Sequence, residues 1–102
     1  LTLPVLSVGG KGVVSVASHV VGNRIKEMIV SYNNGEIKKA AELNKELGAI
    51  FSGIFITTNP IPIKAALNLK GMNVGPVRPP LREINQSEKE VLEDILKKLG
   101  II

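Results

Sequence analysis

The sequence predicts a mostly α-helical chain with one short strand, which places the chain in the α/β class. Apolar residues recur at helical spacing in three stretches, at residues 20–33, 36–55 and 87–99. A fourth helix is indicated by a proline-rich start at residues 59–64, and the strand by a β-branched run at residues 13–16. The hydrophobic fraction of 44% and the charged fraction of 22% are those of a folded chain and argue against disorder.

The first eight residues are compatible with two structures. The apolar residues between Leu1 and Val5 alternate as in a strand, whereas those between Val5 and Val8 could close a helix that ends at Gly9. In either case a glycine-rich turn follows at residues 9–12.

Residues 13–16 are predicted to form a buried strand of the kind found in parallel sheets. One buried strand among helices is not a self-sufficient sheet, because it needs neighbouring strands on both sides. Either the chain associates through this strand, or the rest of the sheet lies on a portion that precedes Leu1. The second possibility agrees with the missing initiator methionine, so we expect the chain to be a piece of a larger protein.

Two amphipathic helices are predicted next. The first begins near residues 20–23, ends at residues 33–35, and has an apolar stripe made of Ile25, Met28, Ile29 and Tyr32. The second spans about residues 36–55, and its inner face comprises Ile37, Ala40, Ala41, Leu47, Phe51 and Ile54. Gly48 and Gly53 weaken this helix by about 1 kcal/mol each relative to alanine, unless close packing requires them.

Residues 59–64, with the sequence Asn-Pro-Ile-Pro-Ile-Lys, predict a rigidly started helix. Asn59 can cap the helix by accepting a hydrogen bond from a free backbone N–H. Pro60 suits the first helical position because its φ is preset and no N–H is needed there, and Pro62 is still inside the first turn. Gly71 is a natural residue to follow the helix end.

Prolines and glycines between residues 72 and 86 predict irregular structure. The last helix is marked by Ser87 and Glu90, which have the spacing of a capping box. Its apolar face comprises Leu92, Ile95, Leu96 and Leu99, and Gly100 ends it.

No residue of the chain has the setting of a catalytic group. Residues 9–12 fail the phosphate-loop pattern, because Lys11 is followed by glycine rather than by serine or threonine. His19 is the only histidine and has no cysteine or second histidine for a metal site, so we interpret it as a surface or helix-start residue. No lysine lies in an apolar strand, where desolvation would favour the neutral amine needed for a Schiff base. Lys64 comes nearest, and we interpret it as structural, facing solvent or capping neighbouring carbonyls.

The charge pattern gives no sign of a nucleic-acid or membrane partner. The net charge is +4, but basic and acidic residues alternate along the helices instead of collecting on one face. No apolar run reaches the roughly 18 residues of a membrane span. The absence of cysteine excludes disulfides and is compatible with a reducing cytosol.

Residues 59–64 resemble the Asn-Pro-Ile-Pro-Val-Lys motif of the dihydrodipicolinate synthase family. The resemblance continues upstream through residues 9–18 and downstream at residues 77–81, where Val-Arg-Pro-Pro-Leu replaces the more usual Leu-Arg-Leu-Pro-Leu. It implies a (β/α)8 TIM barrel with a C-terminal helical extension. The family condenses pyruvate with aspartate semialdehyde in lysine and diaminopimelate biosynthesis, through a Schiff base to a lysine on the sixth strand. A tyrosine and a threonine–tyrosine proton relay assist, and all these residues precede the matched region.

The resemblance implies a place for each part of the chain. Residues 1–33 would be the end of the barrel: the tail of helix 7, strand 8 at residues 12–16, and helix 8. Residues 34–102 would be the helical extension. Val14 falls on the family position that contacts pyruvate through its backbone, with Gly12 and Ser15 flanking it, and no catalytic, cofactor or metal residue is implied here.

Two other functions stay open at this point. The parent protein could be another pyruvate-dependent aldolase, such as an N-acetylneuraminate lyase, or the chain could be a non-catalytic helical interaction module. For the leading interpretation we expect a cytoplasmic homo-oligomer, a tetramer built as a dimer of dimers. The segment alone is expected to be inactive and to self-associate through exposed barrel-facing surface.

Overall fold

The computed structural model describes residues 1–102 and contains five α-helices and no β-strand. The helices are α1 (Thr2–Ser7), α2 (Ser18–Asn33), α3 (Ile37–Gly53), α4 (Ile61–Leu69) and α5 (Gln86–Lys98). The chain divides into two compact units, Leu1–Gly48 and Ala49–Ile102. The prediction of a mostly helical chain is confirmed, and the predicted division after residue 33 stays a prediction.

In the first unit, α1 packs against α2. The helical alternative for the first eight residues is therefore the correct one. α2 begins at Ser18, earlier than predicted, but Val21 has non-helical torsion angles (φ −128°, ψ 26°), so the uninterrupted helix starts close to the predicted place. Within its predicted stripe, Ile25 and Met28 are buried, while Ile29 and Tyr32 are half-buried.

Residues 12–16 do not form the predicted strand. Val14 is fully exposed (105%) and Val13 is 43% exposed, so the run is not buried either. A strand exists only through hydrogen bonds to a neighbouring strand, and the rest of this chain is helix or irregular structure. The β-branched run is therefore left without secondary structure between α1 and α2.

The inner face of α3 differs from the prediction. Ile37 is 54% exposed and Ala41 is exposed, whereas Ile50, which was not predicted, is fully buried. The buried stripe runs through Ala40, Leu47, Ile50 and Ile54. Ala41 is turned away from this stripe because each residue rotates the helix by about 100°, and Ile37 occupies the first, exposed position of the helix.

In the second unit, α4 packs against α5. The core of this unit comprises Ile50, Ile54, Ile61, Pro62, Ile63, Ala66, Leu67, Leu92 and Leu96. Gly53 lies close to α5, since a Cβ there would be 2.6 Å from Ile95 Cδ1. Close packing thus accounts for Gly53, but a Cβ on Gly48 would meet nothing within 4 Å.

α4 begins one residue later than predicted. Pro60 rather than Asn59 is the N-cap, because the Pro60 carbonyl accepts the first helical hydrogen bond from the Lys64 N–H at 3.1 Å. No side chain caps this helix, so the proposed cap by Asn59 is wrong. At the other end, Gly71 (φ 93°) follows the helix as predicted and completes a Schellman motif.

The capping box of α5 lies two residues before the predicted one. The Glu88 N–H donates to Asn85 Oδ1 at 2.8 Å, and the Asn85 N–H donates to Glu88 Oε2 at 3.1 Å. The predicted pair of Ser87 and Glu90 is wrong because the same spacing occurs twice, and asparagine caps as well as serine does. Ser87 instead donates its hydroxyl to Asn85 Oδ1.

Candidate functional site

Val14, the residue that the family resemblance assigns to substrate, lies between α1 and α2, in a stretch (residues 9–17) that we call the Val14 segment. The segment begins where α1 ends, at Gly9 (φ 100°), and the Gly10 N–H donates to the Val5 carbonyl at 2.8 Å. A Cβ on residue 10 would lie 2.8 Å from the same carbonyl oxygen and 2.5 Å from Val5 Cγ1. Glycine at position 10 therefore permits the sharp exit from α1.

The middle of the Val14 segment is unpaired within the chain. Residues 11–14 take part in no backbone–backbone hydrogen bond. Gly12 and Val14 are exposed, whereas Ser15 is half-buried and its carbonyl accepts a hydrogen bond from Ser18 Oγ at 2.5 Å. The three predicted site residues thus lie in one segment, and the backbone groups of Gly12 and Val14 are not used by the chain itself.

The far end of the Val14 segment is fixed by the first turn of α2. Ala17 is buried, and its carbonyl accepts hydrogen bonds from the N–H groups of Val20 (3.0 Å) and Val21 (2.9 Å). His19 is exposed, and its Nδ1 lies 3.0 Å from the Val16 carbonyl. Because a carbonyl only accepts, Nδ1 carries the hydrogen. The interpretation of His19 as a surface residue at a helix start is confirmed.

Side-chain chemistry near the Val14 segment is sparse. No three His, Cys, Asp or Glu side chains are arranged to hold a metal ion. Lys11 is the one charged side chain between the end of α1 and the start of α2, and it is exposed. What residues 11–14 can offer a ligand is their backbone N–H and C=O groups and the Lys11 side chain.

The second unit contains further side-chain hydrogen bonds, which join α4 and α5 to the connection between them. Lys64 Nζ donates to the Pro76 carbonyl at 2.6 Å, which confirms the structural interpretation of this lysine. Arg82 donates two hydrogen bonds to Glu88, at 3.3 Å and 3.2 Å. These bonds raise the pKa of Arg82, and together with the Asn85 N–H they lower the pKa of Glu88.

A cleft of about 410 Å³ lies beside these contacts, lined among others by Asn68, Glu83 and Lys89. Sequence reasoning did not single out Asn68, although its place four residues after Lys64 puts both side chains on one face of α4. The four-residue spacing between Lys64 and Asn68 was the sequence signal from which Asn68 could have been identified.

No helix of the chain combines the length and the apolar character that crossing a membrane would require.

The sequence model of the dihydrodipicolinate synthetase family matches residues 1–99. The chain belongs to the dihydrodipicolinate synthetase family. The resemblance drawn from residues 9–18, 59–64 and 77–81 is thereby confirmed.

Curated members of the dihydrodipicolinate synthetase family cover the chain from end to end. The 4-hydroxy-tetrahydrodipicolinate synthases of Desulforudis audaxviator and Desulforamulus reducens are 51% and 53% identical to it over 102 residues. The solved dihydrodipicolinate synthase of Cyanidioschyzon merolae, with lysine bound, is 43% identical over the whole chain, with a TM-score of 0.97. The chain spans only about a third of these relatives, namely 35%, 34% and 35% of their lengths.

Proposed function

We propose that this chain is the C-terminal third of a 4-hydroxy-tetrahydrodipicolinate synthase. Residues 1–33 would complete a (β/α)8 TIM barrel, and residues 34–102 would form its helical extension. The observation that carries the proposal lies in the Val14 segment, where Val13 and Val14 of the β-branched run are exposed and make no backbone hydrogen bond. A barrel supplies neighbouring strands on both sides of such a run, which would bury its side chains and pair its backbone.

The proposed reaction condenses pyruvate with aspartate semialdehyde through a lysine Schiff base. The amine of that lysine attacks the pyruvate carbonyl carbon, and water leaves as the imine forms. Such a lysine must be unprotonated and desolvated, so it is expected at the end of a barrel strand. No lysine of this chain is buried, and Lys64, which is half-buried, donates to the Pro76 carbonyl. We therefore place the Schiff-base lysine outside these 102 residues, and the chain alone would be inactive.

Val14 would contribute to substrate binding through its backbone. Active sites of barrels lie at the C-terminal ends of the strands, where main-chain groups can be directed at a ligand. The Val14 N–H and C=O make no backbone hydrogen bond within the chain, which leaves them available to a neighbouring strand and to bound pyruvate. Gly12 and Ser15 would flank the contact. A backbone contact of this kind does not depend on the identity of the side chain.

The proposal extends to assembly and location. The intact enzyme would be a cytoplasmic homo-oligomer, a tetramer formed as a dimer of dimers. In the first unit, the apolar side chains of Leu1, Val8 and Val14 are 94%, 84% and 105% exposed. Exposed apolar side chains of this kind support the proposal that other parts of the intact protein cover them. No cofactor, nucleic acid or membrane is part of the proposal.

Borohydride trapping tests this function. The protein as its gene encodes it is incubated with pyruvate, reduced with borohydride, digested and analysed by mass spectrometry. We expect a single reduced adduct on a lysine outside the 102 residues. An adduct on any lysine of this chain, or none anywhere in the protein, would refute the proposal. Assays with aspartate semialdehyde and with sugar acids then separate the synthase from a sugar-acid aldolase, because only the synthase consumes the semialdehyde.

A further inference from the structure

The connection between α4 and α5 is held by side chains of α4. We call this connection, residues 72–85, the strap. The Val74 N–H donates to Asn68 Oδ1 at 3.0 Å, and Asn68 Nδ2 donates to the Gly75 carbonyl at 3.1 Å. Lys64 Nζ donates to the next carbonyl, that of Pro76, at 2.6 Å. Three consecutive residues of the strap are thus bound through their backbones by one face of α4.

We propose that Lys64 and Asn68 form a two-residue clamp that locks the strap onto α4. This inference is independent of the proposed enzymatic function. It gives a role to the Asn-Pro-Ile-Pro-Ile-Lys motif, whose last residue is Lys64. The last residue of the motif thus binds the backbone twelve residues further along the chain, in the connection between two helices.

The residue types suit this role. A carboxamide carries a donor and an acceptor side by side, so Asn68 can serve an N–H and a C=O of adjacent residues at the same time. A lysine ammonium forms a charge-assisted hydrogen bond, which is stronger than a neutral one. Lys64 and Asn68 are four residues apart and therefore project from the same side of the helix.

The buried start of α4 gives the clamp a fixed base. Ile61 and Ile63 are 4% and 6% exposed, and Pro62 is fully buried. These side chains anchor the first turn in the core of the second unit, so the half-buried Lys64 leaves the helix from a defined position. Proline in the first turn also limits the backbone freedom of this base.

The rest of the strap is held from its other end. The Val77 N–H donates to Glu83 Oε1 at 3.0 Å, and the Leu81 N–H closes a turn on the Arg78 carbonyl at 3.1 Å. Arg82 then pairs with Glu88 of α5. The three bonds of the clamp are the side-chain hydrogen bonds that join α4 to the part of the strap at residues 74–76. Its loss should release that part and leave the α5 end in place.

Amide hydrogen exchange on the protein as its gene encodes it tests the clamp. Asn68→Ala should accelerate exchange of the Val74 amide about fivefold to tenfold, which is the loss of one net hydrogen bond. Asn68→Asp keeps the acceptor for that amide and loses only the donor to the Gly75 carbonyl, so its effect at Val74 should be smaller. Lys64→Met should accelerate proteolysis within residues 72–83. The control is Lys70→Met, which replaces an exposed lysine that follows the same helix and has no hydrogen bond to the strap.

Two results would overturn the inference. One is unchanged exchange at Val74 in Asn68→Ala together with unchanged strap proteolysis in Lys64→Met. The other is an equal acceleration at the core amides of Leu92 and Leu96, because the two side chains would then stabilise the fold in general. Borohydride trapping is independent of both readouts, so failure of the clamp leaves the proposed function unaffected.

Discussion

Replacing Gly10 by alanine should destabilise the protein, although many glycine-to-alanine changes do the opposite. The φ angle of Gly10 lies outside the left-handed region, so this angle alone does not exclude alanine. Its lower freedom in the unfolded chain would by itself add about 0.4–1 kcal/mol of stability. The obstacle is Val5, because the new Cβ would lie 2.5 Å from Val5 Cγ1 and 2.8 Å from the Val5 carbonyl oxygen.

The cost follows from which of those atoms can move. The Val5 side chain is 45% exposed and can rotate away. The Val5 carbonyl cannot, because it accepts hydrogen bonds from the Gly10 N–H at 2.8 Å and from the Val8 N–H at 3.2 Å, which together end α1. Overpacking costs about 1–3 kcal/mol and a lost hydrogen bond about 1 kcal/mol. After the entropy gain is subtracted, we expect a net loss of about 1–3.5 kcal/mol.

Urea denaturation of the protein as its gene encodes it measures this loss, with Gly48→Ala as the matched control. A Cβ on Gly48 meets nothing within 4 Å inside α3, so that change should raise the free energy of unfolding by up to about 1 kcal/mol. The two substitutions are identical in chemistry and should differ in sign. If Gly10→Ala is as stable as the unsubstituted protein while Gly48→Ala behaves as expected, the steric reasoning fails.

Three further predictions concern α5. Leu96→Ala empties a fully buried site and should lower the free energy of unfolding by about 2–5 kcal/mol, whereas Val91→Ala, at 47% exposure, should stay within about 0.5 kcal/mol. Equal losses in urea denaturation would contradict the assigned core face. Asn85→Ala removes the side chain that caps α5 and should lower the free energy of unfolding, measured by thermal unfolding, by about 1 kcal/mol. Asn85→Asp keeps a capping oxygen and should cost much less, so equal losses would contradict the role of the cap. The hydrogen bond from Arg82 holds the pKa of Glu88 below its ordinary 4.5. The stabilisation of the folded state by this pair is therefore present above pH 4.5 and is lost as the pH falls through the lowered pKa. Arg82→Met should return the Glu88 titration, followed by NMR, toward 4.5, and an unchanged titration would contradict the pairing.

Local sequence signals predicted the helices well because their causes are local. Helical spacing in α2 and the glycines that follow α4 and α5 depend on residues a few positions apart, and the structure has them where expected. Errors arose where two nearby residues could each begin a helix. Either Asn85 or Ser87 could have capped α5, and either Asn59 or Pro60 could have preceded α4.

The strand and the clamp show two different limits of sequence reasoning. The β-branched run around Val14 has the composition of a buried strand, but a strand is a property of its partners, and this chain contains none. Lys64 was expected to face solvent or to cap neighbouring carbonyls, whereas the carbonyl that it binds, that of Pro76, lies twelve residues away across an irregular connection. No periodicity predicts such a pairing, because its geometry is set by the packing of α4 against α5.

Lys11 gives the proposed function its strictest internal test. It is the lysine of this chain nearest in sequence to Val14, and it is exposed in the same segment. If a lysine beside the pyruvate contact were enough for imine formation, Lys11 would be trapped. Schiff-base formation, however, requires a lysine whose charge is disfavoured by burial or by a neighbouring cation, and Lys11 is exposed. Trapping on a buried lysine elsewhere in the protein, with Lys11 unmodified, is therefore the result that separates substrate contact from catalysis.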